Sequence, residues 1–139
     1  MQMNRLGLAT LTFGLSFAGL GSAQAQDATA KPGDRAAGED VFIKCSGCHQ
    51  VGAGAQNSIG PELNGIVGRA AGTVPGYDYS AALKAANIRW NHDELAAFSI
   101  NAKGLVAGTK MSFAGLKNKQ DVENLIAYLS EFDDAGRTK

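Results

Sequence analysis

The clearest periodic pattern of apolar residues lies near the C-terminus of the chain. Apolar side chains recur there at spacings of three and four, at Val122, Leu125, Ile126 and Leu129. This spacing places them on one face of an amphipathic helix. Asn118 precedes the run and is a residue type that favours helix N-caps. The pattern therefore predicts a helix that begins after Asn118 and buries one apolar stripe.

Three shorter helices are predicted upstream of this one. The first covers residues 35–46, and the second follows Ser80 and ends near Asn87. The third begins after Asn91, because Glu94 lies three residues further on and completes the spacing of a capping box. The chain is therefore predicted to be all-α, with about four short helices.

The remaining segments are predicted to be loops. Residues 50–79 contain seven glycines and two prolines without any strand-like alternation, and residues 104–115 are also predicted to be irregular. So long a loop normally argues against a compact domain. Four short helices also bury little apolar surface for a stable core. A large apolar cofactor at the centre would resolve both difficulties.

The N-terminus has the organisation of an export signal. Arg5 is followed by an uncharged, mostly apolar run of 15 residues, at 6–20, and by the small-x-small sequence that ends at Ala25. The alternative is a retained membrane anchor, but a spanning helix needs about 20 residues. We expect residues 1–25 to be a signal peptide and residues 26–139 to be one mature domain, soluble in a bacterial periplasm.

Composition excludes several classes of protein. The 139 residues include 13 basic and 13 acidic side chains, so the chain lacks the excess positive charge that nucleic-acid binding usually needs. With 45% apolar and 19% charged residues, the chain is not a disordered acidic or basic tail. Two cysteines are too few for a disulfide framework.

The two cysteines belong to the sequence Cys45-Ser46-Gly47-Cys48-His49. Cys-x-x-Cys-His is the attachment signature of c-type haem. Two thiols about one helical turn apart are able to add to the two vinyl groups of one porphyrin, and the adjacent imidazole then reaches the iron. The motif predicts one haem c, covalently bound through Cys45 and Cys48, with His49 as an iron ligand.

The motif has three other interpretations. A thioredoxin-like redox pair expects a βαβ setting, which the pattern does not show. A zinc site needs four ligands, and His92 is the one further histidine, without ligand spacing to the cysteines. A disulfide across so short a loop would stabilise the fold little.

Further motifs follow in a fixed order, and together they resemble class I cytochrome c, close to the mitochondrial and alphaproteobacterial periplasmic type. The segments that carry the resemblance are the haem motif, Gly60-Pro61-Glu62-Leu63-Asn64-Gly65, Gly68-Arg69, Pro75-Gly76-Tyr77-Asp78-Tyr79-Ser80, Ile88-Arg89-Trp90 and Gly108-Thr109-Lys110-Met111-Ser112-Phe113. The resemblance implies the cytochrome c fold, with short helices and long loops wrapped around one haem. It also implies an electron-transfer protein and not an enzyme.

The resemblance implies Met111 as the second axial ligand. Met111 is the one methionine that remains after Met1 and Met3 leave with the signal peptide. A lone Met is more often core filler, but its loop matches the family. A thioether opposite an imidazole raises the reduction potential and fills the position that oxygen or peroxide would occupy.

Other residues are assigned roles around the haem by the same resemblance. The carbonyl of Pro61 would fix His49, although an ordinary turn proline is the alternative. Arg69, Tyr77 and Trp90 would bind the haem propionates, with Trp90 also able to serve as core. Tyr79 would join them, and Thr109 would either bind a propionate or lie at the surface.

The family's docking face is a ring of lysines around the exposed haem edge. The candidates here are Lys44, Lys84, Lys103, Lys110, Lys117 and Lys119, and ordinary solvated lysines are the alternative. Acidic residues cluster towards the C-terminal helix, at Asp121, Glu123, Asp133 and Asp134, so the charge would be dipolar. Such a face steers transient encounters with quinol-cytochrome c reductase and with an oxidase or photosynthetic reaction centre. A monomer is expected.

Two residues depart from the family pattern. Ala102 and Ala107 stand where the family often carries proline, and proline lowers the entropy of the free loop. We therefore expect a looser Met111 loop. The alternative functions are a haem peroxidase or a gas-binding haem sensor, and a periplasmic thiol-disulfide protein. The first two leave the sixth iron position open or use a second haem, whereas this chain has one Cys-x-x-Cys-His motif, near the start of its mature part.

Overall fold

A computed structural model describes residues 30–139 of the chain. The predicted signal peptide, 1–25, lies outside the described residues. Within them the chain forms five helices, α1 (Arg35–Ser46), α2 (Ala81–Ala85), α3 (His92–Ile100), α4 (Ala102–Leu105) and α5 (Lys119–Leu129). Extended pairing in the same range is limited to two isolated bridges, Ala70 with Arg89 and Phe132 with Thr138. The all-α prediction is confirmed.

Polar side chains begin the helices, and the sequence predicted three of them, Ser80, Asn91 and Asn118. Each of these side chains accepts a hydrogen bond from a backbone N–H of the first turn, which would otherwise lack a partner. The pairs are Asp34 with Ala37, Ser80 with Leu83, Asn91 with Glu94 and Asn118 with Gln120. The bounds of α1 and the start of α5 agree with the predicted ones.

Two details differ from the prediction. Helix α2 ends at Ala85, ahead of Asn87, where the backbone has a φ of +53°. This left-handed conformation ends a helix and suits asparagine better than most residues. Helix α4 was missed and partly occupies the predicted loop 104–115, because four residues are too few to show a helical period. Its start is marked by Asn101, which accepts from Gly104 N–H.

Helices α1 and α5 cross in close contact and form the main packing unit. At the crossing, Gly38 faces the backbone carbonyl of Asn124, and a Cβ added to Gly38 would lie 2.6 Å from Tyr128 Cβ. The rings of Phe42 and Tyr128 are 5.6 Å apart beside it. A glycine at this point lets the two backbones approach, so that the apolar stripe of α5 is buried.

The long glycine-rich loop is fixed onto this unit by both apolar and polar contacts. Ile66, Val74 and Tyr79 are buried and join the core cluster that includes α5. Backbone hydrogen bonds, such as Gly68 N–H to Trp90 O at 2.7 Å, tie the loop to the segment before α3. None of the described helices is long and apolar enough to cross a membrane.

Candidate cofactor site

A cleft of about 430 Å³ opens between α1, the long loop and the segment after α4. This volume is within the range of pockets for small ligands and cofactors, roughly 300–1,000 Å³. The walls are mostly apolar, with leucines and phenylalanines from the loop and from the helices. Among this apolar lining stand Cys45, Cys48, His49 and Met111. The structure thus brings both predicted thiols and both predicted iron ligands to one cavity.

The last turn of α1 arranges the two cysteines and the histidine. The carbonyl of Cys45 accepts from Cys48 N–H at 3.0 Å and from His49 N–H at 2.9 Å. Burial raises the pKa of the Cys45 thiol to about 11, whereas Cys48 is exposed. The two cysteines are not joined to each other as a disulfide. Both sulfurs are therefore available to a partner in the cleft.

His49 is held in the state that a metal ligand requires. Its Nδ1 lies 2.7 Å from the carbonyl of Pro61, so Nδ1 donates its proton and Nε2 keeps a free lone pair. Burial lowers the pKa of the imidazole, which favours the neutral form. Gly60 packs flat against the ring, and a Cβ there would overlap it. The Gly60-Pro61 turn therefore fixes both the position and the tautomer of His49.

Met111 is supported by its own loop. Its N–H donates to Thr109 Oγ1 at 3.3 Å. Thr109 is buried and lines the cleft, so the surface position considered for it is wrong. The hydroxyl thus orders the backbone that carries the thioether.

The other residues assigned to the cofactor also line the cleft. Arg69 is bound by Glu62, with 3.0 Å between Nη1 and Oε1. Tyr77 donates its hydroxyl to Ile59 O at 2.6 Å. Burial raises the pKa of Tyr79, and the structure places it beside the same cavity.

Trp90 serves the core, as its alternative role suggested. It is buried, and its ring lies 5.0 Å from that of Phe98. The indole also lines the cleft, so a contribution to the core does not remove it from the site.

Glu62 belongs to the Gly-Pro motif, and the sequence did not predict its role as the partner of Arg69. The available signal was an acidic residue seven positions before a basic one in a loop. That signal is weak, because the loop conformation decides whether the two side chains meet.

The six candidate docking lysines are distributed unevenly around the cleft. Lys44 and Lys110 line it, and each is paired with an acid, at 3.0 Å from Asp121 and 2.6 Å from Asp78 respectively. The Lys110 ammonium lowers the pKa of the Asp78 carboxyl. The other candidates, Lys84, Lys103, Lys117 and Lys119, are exposed away from the lining.

The acidic residues near the C-terminus are also partly paired. Besides Asp121, Glu123 lies 2.8 Å from His92 Nε2, and Asp133 lies 2.7 Å from Arg137. These contacts reduce the separation of charge that the sequence suggested.

Comparison with known proteins gives the family. The family model described as Cytochrome c matches residues 35–133. The chain belongs to the cytochrome c family. Cytochrome c-554 of Methylosinus trichosporium is 44% identical over 137 residues, which cover 99% of this chain and 100% of that protein. Cytochrome c2 of Blastochloris viridis is 43% identical over 131 residues, covering 93% and 98% of the two chains.

Solved structures agree with the sequence relatives. Cytochrome cH from Methylobacterium extorquens superposes with a TM-score of 0.66 at 40% identity, covering 70% of this chain and 98% of that chain. Cytochromes c carry covalently bound haem c and transfer electrons, and they are not enzymes. Cys45 and Cys48 are the cysteines that bind the haem in this member of the family. The cleft suits that group, since it is apolar and contains a neutral imidazole beside two thiols.

Proposed function

We propose that this cytochrome c is a soluble, monomeric, periplasmic carrier of single electrons. It takes electrons from a quinol-oxidising cytochrome complex and gives them to an oxidase or a photosynthetic reaction centre. The observation that carries the proposal is the meeting of two thiols, a neutral imidazole and a thioether in one apolar cleft. Bound haem c supplies the Fe(II)/Fe(III) couple.

The chain's own residues hold and tune this group. Cys45 and Cys48 anchor it, while His49 and Met111 ligate the iron. The Pro61 carbonyl oxygen lies 2.7 Å from Nδ1 of His49 and accepts its proton. Nε2, on the other side of the ring, is therefore left free for the iron. A soft thioether favours the reduced state and blocks small ligands. The site therefore favours electron relay over oxygen chemistry.

Polar groups at the wall would bind the haem propionates. Arg69, Tyr77, Tyr79, Trp90 and Thr109 all line the cleft. Carboxylates in an apolar cavity need charge-assisted or O–H and N–H donors. The Arg69 guanidinium supplies the charge, and the Trp90 N–H and the Thr109 hydroxyl are further donors. The Tyr77 hydroxyl would exchange its bond to Ile59 O for a propionate, and the Tyr79 hydroxyl its bond to the Val74 backbone.

Export and docking complete the proposal. Residues 1–25 have the organisation of a signal peptide, and the alignment with the Methylosinus protein extends over 99% of the chain, so it reaches into this segment. Lys44 and Lys110 lie at the cleft, with Lys84, Lys103, Lys117 and Lys119 further out. A basic rim of this kind speeds encounters with acidic membrane complexes, and salt screens it.

The test uses the exported, haem-loaded protein. Its reduction potential is titrated, carbon monoxide is added to the reduced form, and electron exchange with quinol-oxidising membranes is followed as salt is raised. The proposal expects a single one-electron transition, no carbon monoxide complex and a rate that falls with salt. Carbon monoxide binding would favour a gas sensor or peroxidase. A rate that does not depend on salt would contradict the docking role of the lysines.

A further inference from the structure

An ion pair separates the haem cleft from a second cavity. Arg69 lines both spaces, whereas Glu62 lines only the second one, of about 490 Å³. The two side chains are about one-fifth exposed, at 18% for Arg69 and 20% for Glu62. Glu62 therefore lies behind Arg69 as seen from the cleft.

Glu62 holds the guanidinium with both its side chain and its main chain. Arg69 Nη1 donates to Glu62 Oε1 at 3.0 Å and to Asn64 O at 2.7 Å, and Nη2 donates to Glu62 O at 3.0 Å. The second carboxylate oxygen, Oε2, accepts from Asn64 N–H at 2.6 Å. A guanidinium has five N–H donors, so donors remain for the cleft that Arg69 lines. The carboxylate in turn is fixed at both oxygens.

The same short segment also positions His49. Pro61 O binds the imidazole, and the next residue, Glu62, binds Arg69. One loop thus orients both the proposed iron ligand His49 and the Arg69 guanidinium in the wall of the cleft. A substitution of Glu62 is expected to change the electrostatic environment of the haem through Arg69, although Glu62 does not itself line the cleft.

We propose that Glu62 is a positioning residue that sets the reduction potential, by fixing Arg69 and offsetting its positive charge. This inference rests on the proposed haem site. Oxidation adds a positive charge to the centre, so a nearby carboxylate favours Fe(III) and a nearby cation favours Fe(II). With both present, the wall presents a nearly neutral pair to the cleft.

The proposal is tested with four variants of the haem-loaded protein. Glu62→Gln should raise the equilibrium constant for reduction by about threefold or more, ~28 mV at 59 mV per tenfold for one electron. Arg69→Gln should lower it, and the double variant should return towards the wild-type value. Glu131→Gln is the matched control. It changes the net charge by the same amount, and Glu131 also has an arginine partner, Arg35, at 2.7 Å.

The outcomes separate this proposal from the haem site itself. If Glu62→Gln and Glu131→Gln have the same potential, the role of Glu62 is overturned while a reversible couple still supports electron transfer. If Glu62→Gln does not fold, the comparison of Arg69→Gln with the double variant decides, and equal potentials there would overturn the role. Protein without any reversible couple would overturn the haem site first.

Discussion

At the scale of single residues, His49 shows how neighbours orient an imidazole that we propose as an iron ligand. Burial lowers the pKa of the imidazole and so favours its neutral form. Its orientation comes from the carbonyl of Pro61 and from the absence of a side chain on Gly60. A metal-binding His usually has such a fixed second nitrogen. The role of Pro61 is thus a property of its carbonyl, which the sequence shows only through its place in a motif.

Met111 gives the first prediction at this scale. Met111→Ala removes the thioether and so should lower the reduction potential and open the iron to carbon monoxide. Redox titration and carbon monoxide difference spectra measure the two effects. Ser112→Ala is the control, because Ser112 lines the same cleft without offering a soft donor. An unchanged potential and no carbon monoxide complex in Met111→Ala would show that another group ligates the iron.

At the scale of helices and loops, the sequence predicted the features that depend on neighbouring residues alone. The starts at Ser80, Asn91 and Asn118 were found because capping depends on one side chain and the next turn. Helix α4 was missed because its four residues carry no period. The pairing of Glu62 with Arg69 was missed because it depends on the path of a loop, and a loop path is fixed by tertiary contacts.

The crossing of α1 and α5 leads to a prediction about stability. Gly38→Ala places a Cβ against the backbone of Asn124 and the Cβ of Tyr128, and overpacking of this kind costs about 1–3 kcal/mol. Urea unfolding of the haem-loaded protein measures the loss.

The control for this variant is Gly47→Ala. Gly47 has a φ of −66°, and an added Cβ there meets nothing within 4 Å. Its substitution should change stability much less than Gly38→Ala does. Equal losses in the two variants would contradict close approach as the reason for Gly38.

The loop before Met111 leads to a second prediction at this scale. Val106 has an extended backbone, with φ −129° and ψ 92°, and so lies outside the α region that a following proline disfavours. Ala107 is exposed. Ala107→Pro should therefore stabilise the fold by about 0.4–1 kcal/mol through a less flexible unfolded chain, and it should keep Met111 on the iron to higher pH.

Urea midpoints and the visible absorbance of the thioether-ligated haem measure these two effects. Ala107→Gly is the opposite control, since it adds freedom to the unfolded chain and should destabilise. No difference among proline, alanine and glycine at this position would contradict a loop loosened by its alanines.

At the scale of the whole molecule, helices α1, α3, α4 and α5 form one packed unit, and the long loop lines the cleft. The small helical core and the long loops of the sequence predict a cofactor at the centre. In the structure the long loop adds to the small helical core, because its residues Ile66, Val74 and Tyr79 are buried against the helices. The fold class was therefore predictable from motif and pattern, and so was the placement of His49 and Met111 in one cleft, while the charge pairing around the cleft was not.

The contact between α3 and α5 predicts a pH dependence of global stability. His92 Nε2 lies 2.8 Å from Glu123, and Nδ1 lies 3.1 Å from Asp93. These contacts, that with Glu123 first, raise the pKa of His92 above its ordinary value of 6.5. A raised folded pKa means that the stabilisation is complete below about pH 6.5 and is lost as pH rises through the folded pKa.

Urea midpoints of the wild type and Glu123→Gln test this dependence. The wild type should be the more stable of the two at pH 6, and the gap should close by pH ~9, where the imidazole is neutral. The effect should be small, because the imidazole is 52% exposed and solvent screens the pair. A gap that is the same at both pH values would show that charge on His92 plays no part.

This polypeptide is expected to hold one haem through Cys45 and Cys48. The most direct measurement is the intact mass of the exported protein under denaturing conditions. We expect the mass of residues 26–139 plus one haem, and the mass of the bare polypeptide for a variant in which both cysteines are replaced by alanine. A wild-type protein with the mass of the bare polypeptide would contradict it.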